Sequence, residues 1–166
     1  MSTTAMTMNT DTQRQLLRHT VATLAYRAGK ALRGAPEGVA GFHAGADTRT
    51  PVEILAHMGD LFDWALSMAK GKQTWHDSTP LGWDPEVTRF FAALEAFDAY
   101  LASSEPLHVP TEKLFQGAIA DALTHTGQIN ILRRLAGAPV RGEDYAMANI
   151  TAGRAGSDQA APVKEF

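Results

Sequence analysis

Apolar residues recur along this chain with the spacing of helices, not strands. The first stripe is Leu16, Leu17, Val21, Leu24, Ala25, Ala28 and Leu32, at steps of three and four. The second is Ile54, His57, Met58, Leu61, Trp64, Ala65 and Met68. The third is Val87, Phe90, Phe91, Leu94, Phe97, Ala99 and Leu101, and the fourth is Leu114, Ala118, Ile129, Leu132 and Ala136. Each repeat puts one apolar face on a helix. No segment alternates as a half-buried strand would, and there is no internal repeat or low-complexity tract.

Polar punctuation sets the expected boundaries. The helices fall at about 11–33, 51–70, 85–103 and 111–136. Thr10 or Asp11 would cap the first, and Gly34 and Pro36 end it. Thr50-Pro51-Val52-Glu53 has the form of a capping box with proline at the first helical position, and Gly71 stops that helix. Asp84 before Pro85 would open the third, Thr111 would cap the fourth, and Gly137 and Pro139 close it. Residues 1–9 read as a frayed terminus, 34–50 and 71–83 as loops, and Val140 to Tyr145 as irregular. Four such helices pack as an all-α four-helix bundle, a single domain over residues 1–152 with a short irregular C-terminal extension. Residues 153–166 read as a loose tail.

Composition narrows the function. The net charge of −3 shows no basic patch, which argues against nucleic acid as a partner. No apolar run approaches the length of a membrane span. The opening residues lack the apolar stretch of a secretory leader, so a cytoplasmic protein is expected. The chain has no cysteine, which removes disulfides, a cysteine nucleophile and thiolate ligands from its own side chains.

The candidate chemistry lies in the fourth stripe. Asp121 and His125 are four apart, on one helical face between Ala118 and Ile129. A carboxylate and an imidazole beside a core need partners, because burying either alone is costly. A divalent metal is one such partner. His57, on the second stripe, supplies a third ligand if the two helices are neighbours, and bundles build their metal sites in this way. Two histidines and a carboxylate with an open position suit zinc or iron(II). Gln128 lies within reach to orient a ligand or His125, and Gly127 would let a helix or a substrate approach. Other readings stand beside this one. Asp121 and His125 could form a plain ion pair, and His57 could be a hydrogen-bonded core histidine. His43, His76 and His108 read as surface loop residues, and His19 as solvated. Trp75 and Trp83 either line a pocket mouth or cover the end of the bundle.

At Ile54-Leu55-Ala56-His57-Met58 and Leu123-Thr124-His125-Thr126-Gly127-Gln128-Ile129, followed by Leu132-Arg133 and Gly137, the chain resembles the DinB-like (damage-inducible) metalloproteins. That family is related to the metal-dependent thiol transferases of bacteria. The resemblance covers most of residues 10–137. It implies a four-helix bundle with a metal site near one end, held by three histidines. His57 and His125 match two of them, and Asp121 stands where the family has the third. A carboxylate there lowers the site's charge by one unit, makes bound water less acidic and shifts the preferred metal. The resemblance further implies a divalent ion (zinc, nickel, iron or manganese), a low-molecular-weight thiol cosubstrate and a homodimer. The Phe-rich third helix is a candidate apolar surface for that dimer. The expected function is a metal-dependent enzyme of the thiol-transferase type with no assigned catalytic residue, His43 and His76 being loop candidates for a base. The alternative is a non-catalytic metal-binding or dimeric helical module of interaction or stress response.

Overall fold

The structure is a computed structural model that describes residues 2–166, with side chains from Thr10 onward. Among the described residues it is all-helical, a four-helix bundle as the periodicity predicts. Helix α1 is Ser2–Leu32, α2 is Pro51–Ala69 and α3 is Trp83–Ala102. Helix α4 is built of Thr111–Leu114, a π-helical turn Phe115–Ile119, and Ala120–Leu135. No helix among the described residues is long and apolar enough to cross a membrane.

The boundaries follow local chemistry. At the start of α2, Thr50 Oγ1 accepts from the Glu53 N–H at 3.3 Å, while Glu53 Oε2 accepts from the Thr50 N–H at 2.7 Å. Both halves of the expected capping box therefore form. Gly71 at φ +75° and Gly137 at φ +80° follow the ends of α2 and α4, where left-handed backbone is needed. Three expected starts differ. Helix α1 is already helical at Thr10 and Asp11, so neither is its cap. The frayed terminus expected over residues 1–9 falls, for Met1 and for the side chains of the rest, outside the described residues. Helix α3 begins at Trp83, before Asp84, because the Glu86 carboxylate reaches back to the Leu81 N–H at 2.9 Å. Pro85 still sits in the first turn, where no N–H is required. Thr111 is the first residue of α4, and Pro110 precedes it as a cap without a side-chain bond.

Contacts fix the order round the bundle as α1, α3, α2, α4. Arg14 of α1 donates to the carbonyls of Tyr100, Leu101 and Ser103 at the end of α3, and Gly29 further along α1 lies beside Phe91 near the start of α3, so these two helices are antiparallel. Arg133 near the end of α4 donates to Ala31 and Arg33 at the end of α1, so those two are parallel. Phe62 meets both Phe90 and Phe97, and α2 runs parallel to α3. Parallel neighbours require the chain to return the full length of the bundle. The segment after Gly71 does this along α2: Thr74 bonds Ser67, His76 bonds Asp63, and Ser78 bonds Asp60.

The predicted stripes face inward. Val21, Leu24, Leu55, Met58, Phe90, Leu94, Phe97, Leu114 and Ile129 are fully buried. Two corrections concern apolar surface. Leu16, expected in the first stripe, is 65% exposed, and Ala99, expected in the third, is exposed as well. Phe90, Phe91 and Phe97 of α3 are core residues, so they are not the outward apolar surface expected there.

The C-terminal segment is the largest departure. Residues 153–166, expected to be loose, lie against α1 and α3. Ala155 is buried, and the side chain of Gln159 packs at Gly29. The Glu143 carboxylate accepts from Tyr26 at 2.5 Å and from Lys30 at 2.7 Å, and Lys30 also holds Glu165 at 2.8 Å. An isolated antiparallel bridge joins Glu143 to Glu165.

Candidate metal centre

Helices α2 and α4 are antiparallel neighbours, and this brings the three sequence candidates together. The ligand atoms of His57, Asp121 and His125 lie within 4.8 Å of one another. His57 Nε2 is 3.6 Å from Asp121 Oδ2, and His125 Nε2 is 3.5 Å from Asp121 Oδ1. The two imidazole rings stand perpendicular with centroids 4.9 Å apart.

These separations are informative. Both exceed the usual 2.7–3.2 Å of a hydrogen bond. Two nitrogen or oxygen ligands on a tetrahedral zinc, each at about 2.1 Å, lie roughly 3.4 Å apart. The gap between the imidazoles and the carboxylate therefore matches the span of an ion better than a direct bond. His125 Nδ1 is 2.7 Å from Gln128 Oε1. The Gln128 carbonyl oxygen accepts a hydrogen bond from the His125 Nδ1–H, which leaves the Nε2 lone pair of His125 turned toward Asp121. Orienting a ligating histidine through its other nitrogen is the usual support of a metal site. Burial pushes the His57 imidazole below its ordinary pKa. His125 and the Arg49 charge add to this, and Asp121 only partly offsets them. His57 is thus held neutral, the form that ligates. The residues present fit a divalent cation.

The surroundings come from elements that periodicity does not describe. The returning segment lays Trp75 against His57, with centroids 5.6 Å apart, and Trp75 stands edge-on to Trp64 at 5.9 Å. Trp64 in turn rests on Gly117 inside the π-helical turn, where an added Cβ would come within 3.2 Å of its ring. π-Turns inside helices are frequent at functional sites. Trp83, by contrast, lines a cavity near Leu32 and Phe91, away from these residues. Asp121 is less enclosed than the stripe suggests, with its side chain 45% exposed beside the better-buried His57 and His125.

A second group, Asp60, Asp63 and His76, also has ligand atoms within 4.8 Å. Sequence reading missed it, because His76 comes from the loop. It already holds a cation. Arg89 Nη1 lies 3.0 Å from Asp60 and 3.6 Å from Asp63, and His76 bridges the same two carboxylates. His43 bonds its own loop at the Thr48 carbonyl. The group of His57, Asp121 and His125 includes neither loop candidate for a base.

Compared with family models, with curated proteins and with solved structures, the chain has no match.

Proposed function

We propose that this protein is a divalent-metal-dependent enzyme of the thiol-transferase type, its ion held by His57, Asp121 and His125. The observation that carries the metal is the convergence of these three groups from two helices at ion-spanning distances, with Gln128 fixing the tautomer of His125. The reaction class rests on the resemblance of the two histidine segments to the DinB-like family, and so do a thiol cosubstrate and a homodimer. A bound divalent cation would supply the positive charge that lowers the pKa of a thiol or water beside it. The chain's own residues have separate tasks. His57 and His125 would present ring nitrogens to the ion, and Asp121 the compensating charge. Trp75 stands edge-on to His57 and covers one side of it. Since the chain has no cysteine, any thiol comes from a cosubstrate.

Elemental mass spectrometry on untagged protein tests the metal. About one divalent ion per chain is expected, with a melting temperature that falls on chelation, because a ligand that binds only the native state stabilises it by mass action. His57→Ala and His125→Ala should each lose the metal. Screening low-molecular-weight thiols for consumption on the metal-loaded protein then tests the reaction class. If no metal is retained or taken up and chelation changes nothing, the proposal is overturned. A loaded protein without thiol turnover would favour the non-catalytic module.

A further inference from the structure

We infer that the cavity beside His125 binds the apolar body of a carboxylate-bearing small molecule, and that Arg49 holds the carboxylate. This deepens the proposed function by naming a substrate class for the same site, and it rests on that reading only for its use in catalysis.

The cavity has a volume of about 820 Å³, within the range that encloses small-molecule ligands. It lies between the segment before α2, the first turn of α2 and one face of α4. Ile54, Ile131 and Leu132 supply apolar wall. Ile131 is 54% exposed, although it sits on a helix of a well-filled bundle. His125 and Gln128 form the edge nearest the metal ligands. Gly127 also faces this space, and a Cβ built there would meet nothing within 4 Å. The neighbouring helix therefore does not need the missing side chain; it leaves room beside His125.

Arg49 is the one Asp, Glu, Lys or Arg of this lining among the described residues, and neither His57 nor Asp121 belongs to it. No hydrogen bond or ion pair engages its guanidinium among those residues. Of the two carboxylates near it in sequence, Asp47 forms no ion pair with it, and Glu53 is occupied: its Oε2 accepts from the Thr50 backbone at 2.7 Å and from the Thr50 hydroxyl at 2.9 Å. Arg49 also lines a smaller cavity of about 210 Å³ that includes His57. It therefore stands at the junction of the metal ligands and the larger cavity. A guanidinium fork matches a carboxylate in two parallel bonds. An open apolar groove whose lining carries a single, exposed, unpaired arginine favours an anion with a hydrocarbon body over a neutral or cationic molecule of the same size.

The test uses three probes of equal chain length, hexanoate, 1-hexanol and hexylamine. They are titrated into full-length, chelator-treated protein and followed by methyl NMR. Removing metal first prevents hexanoate from simply ligating an ion. Hexanoate should bind about tenfold tighter than hexanol, the worth of one charge-assisted contact, and hexylamine weakest. Shifts should centre on Ile54, Ile131 and Leu132. Arg49→Gln should reduce hexanoate to the level of hexanol, and Arg49→Lys should keep part of the preference. Equal binding of hexanoate and hexanol, a preference that survives Arg49→Gln, or shifts elsewhere would overturn the inference. Zinc titration of the same proteins separates the two claims. Hexanoate preference without zinc uptake leaves the anion site standing and removes the metal enzyme. Zinc uptake without hexanoate preference does the reverse.

Discussion

Asp121 decides what kind of centre this is. It offers one oxygen toward each histidine, at 3.5 and 3.6 Å. If it ligates, Asp121→Ala should weaken zinc binding at least about tenfold, while Asp121→His should keep it, because imidazole is an equally competent ligand. Competition against a chromogenic chelator measures both, and equal affinity in Asp121→Ala would remove Asp121 from the ligand set. At this scale the candidate ligands were legible in sequence. Asp121 and His125 share a face by their spacing, and His57 interrupts an apolar stripe. Arg49 and Trp75 were not legible as neighbours of the site. Both sit in segments without a period, where no residue's direction follows from the one before it.

Among the elements, α2 and α3 share a close contact beyond the meeting of Phe62 with Phe90 and Phe97. Gly59 lets the Arg89 guanidinium lie against α2, where it donates to the Ala56 carbonyl at 2.6 Å and to Asp60 at 3.0 Å, and Glu86 holds its Nε. A Cβ at Gly59 would come within 2.8 Å of the guanidinium carbon. Gly59→Ala should therefore destabilise by about 2 kcal/mol, as overpacking of a fixed neighbour does, despite the gain in helix propensity. Urea unfolding would read this as a lower midpoint at unchanged slope, and a stabilised variant would contradict it. The four helices themselves were legible because their stripes are long. The start of α3 was not, since it depends on Glu86 turning back to Leu81. Nor was the π-helical turn, because Leu114 and Ala118 stay buried on either side of its first residues and leave the apolar period intact.

Across the whole molecule, the C-terminal segment is held by few but specific charges, and these were invisible in sequence because Lys30 and Glu165 lie at opposite ends of the chain. The side chain of Glu143 is fully buried, so Lys30→Met should cost about 3 kcal/mol by leaving that carboxylate with Tyr26 alone. The Lys30 bond holds the Glu165 carboxyl below its ordinary pKa. A lowered folded value means that the unfolded chain binds the proton more readily. The contribution of Glu165 is therefore complete above its ordinary pKa of 4.5 and is lost as pH falls through the lower folded value. Amide exchange at Asp144 and Phe166, whose N–H groups bond Lys164 and Gly142, should accelerate over that acid range relative to the α2 core. An unchanged ratio would count against the charge clamp.

The pairing of α2 with α4 has a kinetic consequence. His57 and Asp121 are separated in sequence by the returning segment and all of α3, so their meeting closes a longer loop than the Arg89 contacts that join α2 to α3. Such contacts form late in folding, after more local ones have reduced the loop-closure cost. A metal across this seam acts on the finished bundle more than on the transition state. Zinc should therefore leave the refolding rate nearly unchanged and slow unfolding. Stopped-flow measurement with and without zinc would show a metal that works as a latch on the native state and not as a nucleus for reaching it.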